Sequence, residues 1–256
     1  MTKIIHQIWF DFGNGKGCNN ELIILRDYIL STNSDFRYIL WSYDDAAHFI
    51  KEHYVQYYAF FCGDTNRPII KCDFFRYIIL YHFGGFYMDI DFMVIGNLKD
   101  LIIRCSESEV ILSCESHNCI EMHNTLHNGF MYSAKPRCEF FKHISDAIIQ
   151  HNVANISEQD VYRISGTKLL CSFWKKFKHI HSICVLPFQV VCSHWFINSN
   201  KDMVLFNNKN NNVTTCSTNS EWSFLTIEDV KINKEALLQN GAVAVCTVMK
   251  HGSYWK

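Results

Sequence analysis

Lys71-Cys-Asp-Phe-Phe-Arg-Tyr-Ile-Ile-Leu-Tyr-His-Phe-Gly-Gly-Phe-Tyr-Met-Asp-Ile-Asp91 is the stretch on which the reading of this chain turns. Its first part belongs to a helix predicted over Arg67 to His82, and Asp73 and Arg76, three apart, then share one helix face. Gly84-Gly85 stops that helix, because glycine takes turn conformations that a side chain would block. Phe86 to Val94 then reads as extended, with Asp89 and Asp91 two apart so that both carboxylates point the same way. Phe86, Met88, Ile90 and Phe92 surround them with apolar side chains. Two carboxylates on one face of a buried strand repel each other, and a divalent cation is the natural compensation. Oxygen ligands of this kind suit Mg²⁺ or Mn²⁺, which in turn bind diphosphates.

Working outward, the flanks alternate strand and helix patterns. Ile4 to Phe10 is strand-like, Glu21 to Leu30 helical with Asn19 or Asn20 as cap, and Phe36 to Trp41 a second strand. Asp44 to Phe61 is helical by pattern. Beyond the acidic pair, Glu109 to Ser113 and Gly129 to Ser133 read as strands, and Cys138 to His151 and Gly166 to Phe177 as helices. Glu158, Gln159 and Asp160 precede that last helix, at the acceptor side or at a solvated helix start. Asn207 to Asn212 is a polar loop. The alternation predicts an α/β class with a largely parallel sheet, and the whole of residues 1–256 is expected to form one domain with loop insertions toward the C-terminus.

Composition excludes several classes. The chain has 256 residues, 48% hydrophobic and 19% charged, enough for a sizeable core and too apolar for general disorder. Twenty-four basic against 25 acidic side chains leave no cationic footprint, so no nucleic acid is expected as a partner. No apolar run reaches the roughly 18 residues that a membrane-spanning helix needs. The opening Met1 to Phe10 lacks a small-residue cleavage site and reads as a buried strand, so a cytoplasmic location is expected. The 12 cysteines show no paired Cys-x-x-Cys and read as scattered reduced thiols. Cys114, His117, Cys119 and His123 match no zinc loop, and Cys192 with His194 is accounted for by chance proximity.

Three blocks taken together resemble a known family: Lys3-Ile-Ile-His-Gln-Ile-Trp-Phe10, Asp73 through Asp91, and His251-Gly-Ser-Tyr-Trp255. They are similar to the DXD-containing sugar-binding glycosyltransferases, which include fungal outer-chain mannosyltransferases and bacterial capsule transferases. A more distant likeness is to the catalytic domains of large clostridial glucosylating toxins. The resemblance implies a GT-A type, Rossmann-like fold and a retaining transfer of a hexose-type sugar. The donor would be a UDP- or GDP-sugar held through Mn²⁺ or Mg²⁺, and the acceptor a glycan or another hydroxyl compound.

Carried over by position, the resemblance gives each residue a role. Trp9 would stack on the nucleotide base, and Asp73 and Arg76 would hold donor hydroxyls. Tyr87 and Asp89 would place the ribose and sugar, with Asn128 near the sugar. Asp91 would ligate the metal, with Asp89, His251 and Ser253 as further ligands; His251 and Ser253 would complete the site from the C-terminal side, and Trp255 would contact the phosphates. The tail departs from the family in its shorter spacing from His251 to Ser253 and Trp255. A module that binds a nucleotide sugar or glycan without turnover is the alternative; the intact Asp73, Arg76, Asp89 and Asp91 favour an enzyme. Glycoside hydrolysis is disfavoured, because carboxylates two apart on one strand cannot flank a sugar from opposite sides.

Overall fold

A computed structural model of the chain describes residues 2–11, 20–114, 126–187, 190–192, 195–198, 203–205, 222–224 and 226–247. The polar run Asn207 to Asn212, the tail residues His251, Ser253 and Trp255, and His117, Cys119, His123 and His194 lie outside these.

The first strand, β1 (Ile4–Ile8), leads through α1 (Asn20–Thr32) to β2 (Arg37–Trp41). Three helices follow, α2 (Tyr43–His53), α3 (Val55–Cys62) and α4 (Ile69–Phe83), before β3 (Gly85–Met88) and β4 (Phe92–Val94). Then come α5 (Leu98–Arg104), β5 (Val110–Cys114), β6 (Leu126–Ser133), α6 (Glu139–Ile148), α7 (Glu158–Ile164), α8 (Thr167–Phe177) and β7 (Ile183–Leu186). The C-terminal part holds β8 (Val191–Cys192), β9 (Trp195–Asn198), β10 (Met203–Leu205), β11 (Trp222–Phe224), α9 (Ile227–Ile232), α10 (Lys234–Gln239) and β12 (Ala244–Cys246).

Six strands form the central sheet in the order β2-β1-β3-β6-β5-β7. β1 is parallel to both β2 and β3, and β5 to β7, while β6 runs antiparallel to β3 and β5. The largely parallel α/β sheet expected from the sequence is therefore present, with one reversed strand. Strand alternation sends side chains to two apolar layers. Ile5, Phe86, Phe130 and Tyr132 pack with Ile29 of α1 and Leu98 and Leu101 of α5. Tyr87, Leu112 and Met131 face the other way, onto Phe74, Phe75 and Ile78 of α4 and Phe141 and Ile144 of α6.

α4 is the central helix. Its apolar side chains run all round rather than along one stripe, as expected of a helix buried on every side, and buried residues extend from Ile70 to Tyr81. Gly84 and Gly85 end it at φ 68° and 88°, a pair of left-handed conformations that only glycine adopts without strain. A Cβ on Gly85 would also lie 2.5 Å from the Ile4 carbonyl oxygen, so β1 and β3 pair only because this side chain is missing.

His6 ties that turn to β2. The Trp41 indole donates to His6 Nδ1 at 3.2 Å, so Nδ1 accepts and the proton sits on Nε2, which faces the Gly84 carbonyl at 3.1 Å. Burial holds this ring neutral and lowers its pKa to about 4.

Three segments differ from the sequence-based expectation. Asp44 to Phe61 is two helices, because Tyr54 leaves helical geometry at φ −143° and ψ 51°. Phe86 to Val94 is not one extended strand: the Phe92 N–H donates to the Asp89 carbonyl at 3.2 Å, and this turn separates β3 from β4. Glu158, Gln159 and Asp160 open a helix of their own, α7, in which Ser157 and Asp160 form a reciprocal cap. β4 then enters a second sheet, β4-β12-β8, and a third sheet has the order β10-β9-β11. Among the described residues no helix is long and apolar enough to cross a membrane.

Candidate active site

The chain goes from β1 to β2 on one side and returns across β1 to β3 on the other. A parallel sheet that reverses its winding opens a crevice beyond the carboxyl ends of the two strands concerned, and ligands bind in such crevices. Here those are the ends of β1 and β3. In register, Ile5 pairs with Phe86 and His6 with Tyr87, so the chain beyond β1, at Trp9, reaches the same edge as the turn from Asp89 to Asp91. Trp9 is half-buried against the apolar layer that holds α4.

Arg76 organises one side of this edge. Its guanidinium lies 3.0 Å from Asp73 Oδ1 and 3.2 Å from Asp89 Oδ1, and Nη1 donates to the Asn128 carbonyl at 2.9 Å. It also stacks over the Tyr87 ring, 4.7 Å from the centroid. Burial alone would favour a neutral guanidine, but Asp89, Tyr87 and Asp73 outweigh it and raise the pKa, so Arg76 stays charged. The Tyr87 hydroxyl donates to Asp89 Oδ1 at 2.6 Å. Asp73 accepts from Asn128 Nδ2 at 3.1 Å and from the Ser165 hydroxyl at 2.7 Å. Burial pushes its pKa up, against the pull of Arg76, Ser165 and Asn128.

The turn itself is held from below. Gln7 Nε2 donates to the Asp89 carbonyl at 3.0 Å, and the Tyr38 hydroxyl fixes Gln7 through Oε1 at 2.7 Å. The Asp89 N–H donates to the Gly129 carbonyl at 2.7 Å. A Cβ on Gly129 would stand 2.3 Å from Asp89 Oδ2, so β6 can approach this carboxylate only with glycine there.

Asp91 is held differently. Its backbone carbonyl accepts from both the N–H and the hydroxyl of Thr247, each at 2.9 Å, which ties the turn to the end of β12. Its Oδ1 is buried and has no hydrogen-bond partner. Burial and the neighbouring Asp89 charge push the Asp91 carboxyl up to about 7, against the smaller pull of Cys246 and Arg76. An orphaned carboxylate oxygen beside a second acid is the donor that a hard divalent cation takes, so the residues present fit such an ion.

A second group of metal-ligating types stands at the far end of the sheet. Donor atoms of Glu109, Cys138 and His181 lie within 4.8 Å of one another. There Glu109 already has partners, the Lys135 ammonium at 3.0 Å and His181 Nδ1 at 2.9 Å. Burial would raise its pKa, but these two neighbours hold it below the usual carboxylate value.

Of the residues singled out in the sequence, the fold gathers Asp73, Arg76, Tyr87, Asp89 and Asn128 into one bonded cluster, with Asp91 and Trp9 at the same edge. His251, Ser253 and Trp255 lie outside the described residues. Sequence reasoning did not place Gln7, Tyr38, Gly129, Ser165 or Thr247 here. Of these, Gln7 lies in the Lys3 to Phe10 block that carries the resemblance, and Gly129, Ser165 and Thr247 offered only a glycine in a strand, a Ser-Gly pair and a position near the tail; Tyr38 offered none.

An α/β sheet whose switch point carries a braced acidic turn is the class of protein that fold and site define. Comparison with known proteins adds a family match over part of the chain. Residues 22–109 match the glycosyltransferase sugar-binding region containing DXD motif, so the resemblance carried by Asp73 through Asp91 stands. Mannosyl phosphorylinositol ceramide synthase SUR1 of Saccharomyces cerevisiae is 41% identical over 66 residues, 26% of this chain and 17% of that protein. Inositol phosphoceramide mannosyltransferase 1 of Schizosaccharomyces pombe is 34% identical over 112 residues, 44% of this chain and 34% of that protein. An uncharacterized glycosyltransferase, L373, of Acanthamoeba polyphaga mimivirus is 31% identical over 102 residues, 40% of each chain. The chain thus spans well under half the length of these curated relatives. Among solved structures, PaToxG glycosyltransferase is similar at a TM-score of 0.46 and 14% identity, covering 70% of each chain.

Proposed function

We propose that this protein is a metal-dependent, retaining glycosyltransferase of the GT-A type. It would move a hexose-type sugar from a UDP- or GDP-sugar to a hydroxyl of a glycan or related acceptor. Mannose is the first hexose to test, since two of the relatives above carry mannosyl in their names. The observation that carries the reading is the division of labour on one turn. Asp89 is bonded to Arg76 and Tyr87, while Asp91 keeps a buried oxygen without a partner.

Asp91 would hold Mn²⁺ or Mg²⁺, with His251 or Ser253 of the tail as further ligands. When bound, the cation neutralises the diphosphate as its bond to the sugar breaks. Asp89, whose side chain is 28% exposed, faces the crevice from the braced cluster and would orient the sugar. Arg76 and Asp73, both buried, would fix Asp89 and Asn128 so that the carboxylate does not move as charge develops. Trp9 would stack on the base, with Trp255 toward the phosphates. Asp89 is held by Arg76 and Tyr87 through one oxygen and no residue stands out as a covalent nucleophile, which favours attack by the acceptor from the leaving-group face.

The test is release of nucleotide from a panel of UDP- and GDP-sugars, GDP-mannose included, with Mn²⁺ and with chelator. Slow Mn²⁺-dependent release from one donor, lost in Asp91→Asn, is the expected result. Binding of a nucleotide sugar without release would replace the enzyme by a binding module. Absence of any UDP or GDP binding would overturn the assignment of this site.

A further inference from the structure

We propose that Cys105 and Cys184 form a disulfide in the folded protein, crosslinking the end of α5 to the edge strand β7. Their Sγ atoms are 3.1 Å apart, about 1 Å more than a sulfur–sulfur bond. Both sit on elements that the fold holds in place. Cys105 follows α5 directly, and its N–H donates to the Leu101 carbonyl at 3.1 Å. Cys184 stands opposite Ile111 in the parallel β5–β7 ladder. Neither backbone needs a new partner for the side chains to close the remaining gap. The sequence alone gave no sign of this pair, because 79 positions separate the two residues.

The two thiols differ in exposure, and the difference sets the order of events. Cys184 is half-buried and Cys105 buried, so a small oxidant meets Cys184 first. With glutathione disulfide as oxidant, the Cys184 thiolate attacks one of its sulfurs. That forms a Cys184–glutathione mixed disulfide and expels one glutathione thiolate. The Cys105 thiolate then attacks the Cys184 sulfur, forms the Cys105–Cys184 bond and expels the second glutathione. The two protons released by the cysteines end on the two glutathiones, and two electrons pass from the protein to the oxidant. Burial and the neighbouring Cys184 push the Cys105 thiol up to about 12. The closing step therefore quickens as pH rises.

The folded, full chain is incubated with glutathione disulfide, trapped with iodoacetamide, cleaved without reductant and mapped by mass spectrometry. The expected result is a linked peptide pair joining Cys105 to Cys184, two hydrogens lighter than the separate peptides and split by dithiothreitol. Cys105→Ser should leave Cys184 as a glutathione adduct, and Cys184→Ser should leave Cys105 unmodified by the oxidant. Recovery of both residues of the wild-type chain as iodoacetamide adducts, or as two separate glutathione adducts, would overturn the proposal. A linkage that forms only after denaturation in urea would overturn it as well. The wild-type map decides the matter even if a serine variant fails to fold.

Discussion

Asp89 and Asp91 stand on one turn, yet the protein treats them in opposite ways. Asp89 receives Arg76 and Tyr87, and a backbone that Gln7, Tyr38 and Gly129 hold. Asp91 is held through its backbone carbonyl by Thr247 and touched at its carboxyl by Cys246, while its Oδ1 has no hydrogen-bond partner. The first arrangement lowers the energy of the protein by itself. The second raises it, a cost that the cation proposed here would offset, as a site under functional constraint is expected to do. The lesson is that a pair of like residues in a motif need not share a role, and that the protein's own hydrogen bonds tell them apart.

The comparison breaks most visibly at Arg76. Arg76→Met leaves Asp73 and Asp89 buried without their counter-charge and should cost about 3–5 kcal/mol in urea unfolding. Arg76→Lys should recover little of that, because an ammonium cannot reach Asp73, Asp89 and the Asn128 carbonyl in one fixed fork. A loss under about 1 kcal/mol would mean that the cluster is not the brace described here.

A pH series in chelator sharpens the contrast. The His6 pKa falls from 6.5 to about 4 on folding, so the unfolded chain binds more protons in that window and stability rises with pH. The Asp91 pKa rises from 3.8 to about 7, so the folded chain binds more protons and stability falls with pH over the same window. In the wild type these two slopes oppose each other. In Asp91→Asn the opposing contribution is gone and stability should rise more steeply with pH from 4 to 6.5, His6 contributing roughly 3 kcal/mol and His82, whose pKa burial also lowers to about 4, acting in the same direction. At neutral pH this variant should be at least as stable as the wild type, because it removes a carboxyl whose charged form is disfavoured by burial and by Asp89. Identical pH slopes in the two proteins would contradict the assignment of Asp91.

Gly129→Ala has the smallest effect on stability. Its Cβ would meet Asp89 Oδ2 at 2.3 Å, and relief of that overlap should cost about 1–3 kcal/mol. Because the carboxylate must turn away from its bonded position, donor hydrolysis should fall by more than the stability does. Equal activity in Gly129→Ala and wild type would remove Asp89 from the sugar site.

Much of this was legible in the sequence, for physical reasons. The helix from Asp73 onward, its stop at Gly84-Gly85 and the β-α alternation are local patterns, and the fold keeps them. The turn at Asp89 to Asp91 was not legible: Phe86, Met88, Ile90 and Phe92 keep a period of two straight through it. Only the entry of β4 into another sheet breaks the strand. Ser165 reaches Asp73 across 92 positions, and Thr247 reaches Asp91 across 156, and no spacing rule joins residues so far apart. Glu158 to Asp160 read equally as lining the acceptor side or as a solvated helix start, and the reciprocal cap with Ser157 makes them the start of a separate helix, α7.

The most direct test of the central claim is Mn²⁺ binding, followed by electron paramagnetic resonance in the presence of UDP or GDP. Wild type and Asp91→Asn are compared at neutral pH, with folding checked by urea unfolding. Asp91→Asn should fold as well as the wild type and bind Mn²⁺ at least about tenfold more weakly, a loss of roughly 1.4 kcal/mol. Equal Mn²⁺ affinity in the two proteins would contradict the account, because the orphaned carboxylate would then have no cation to hold.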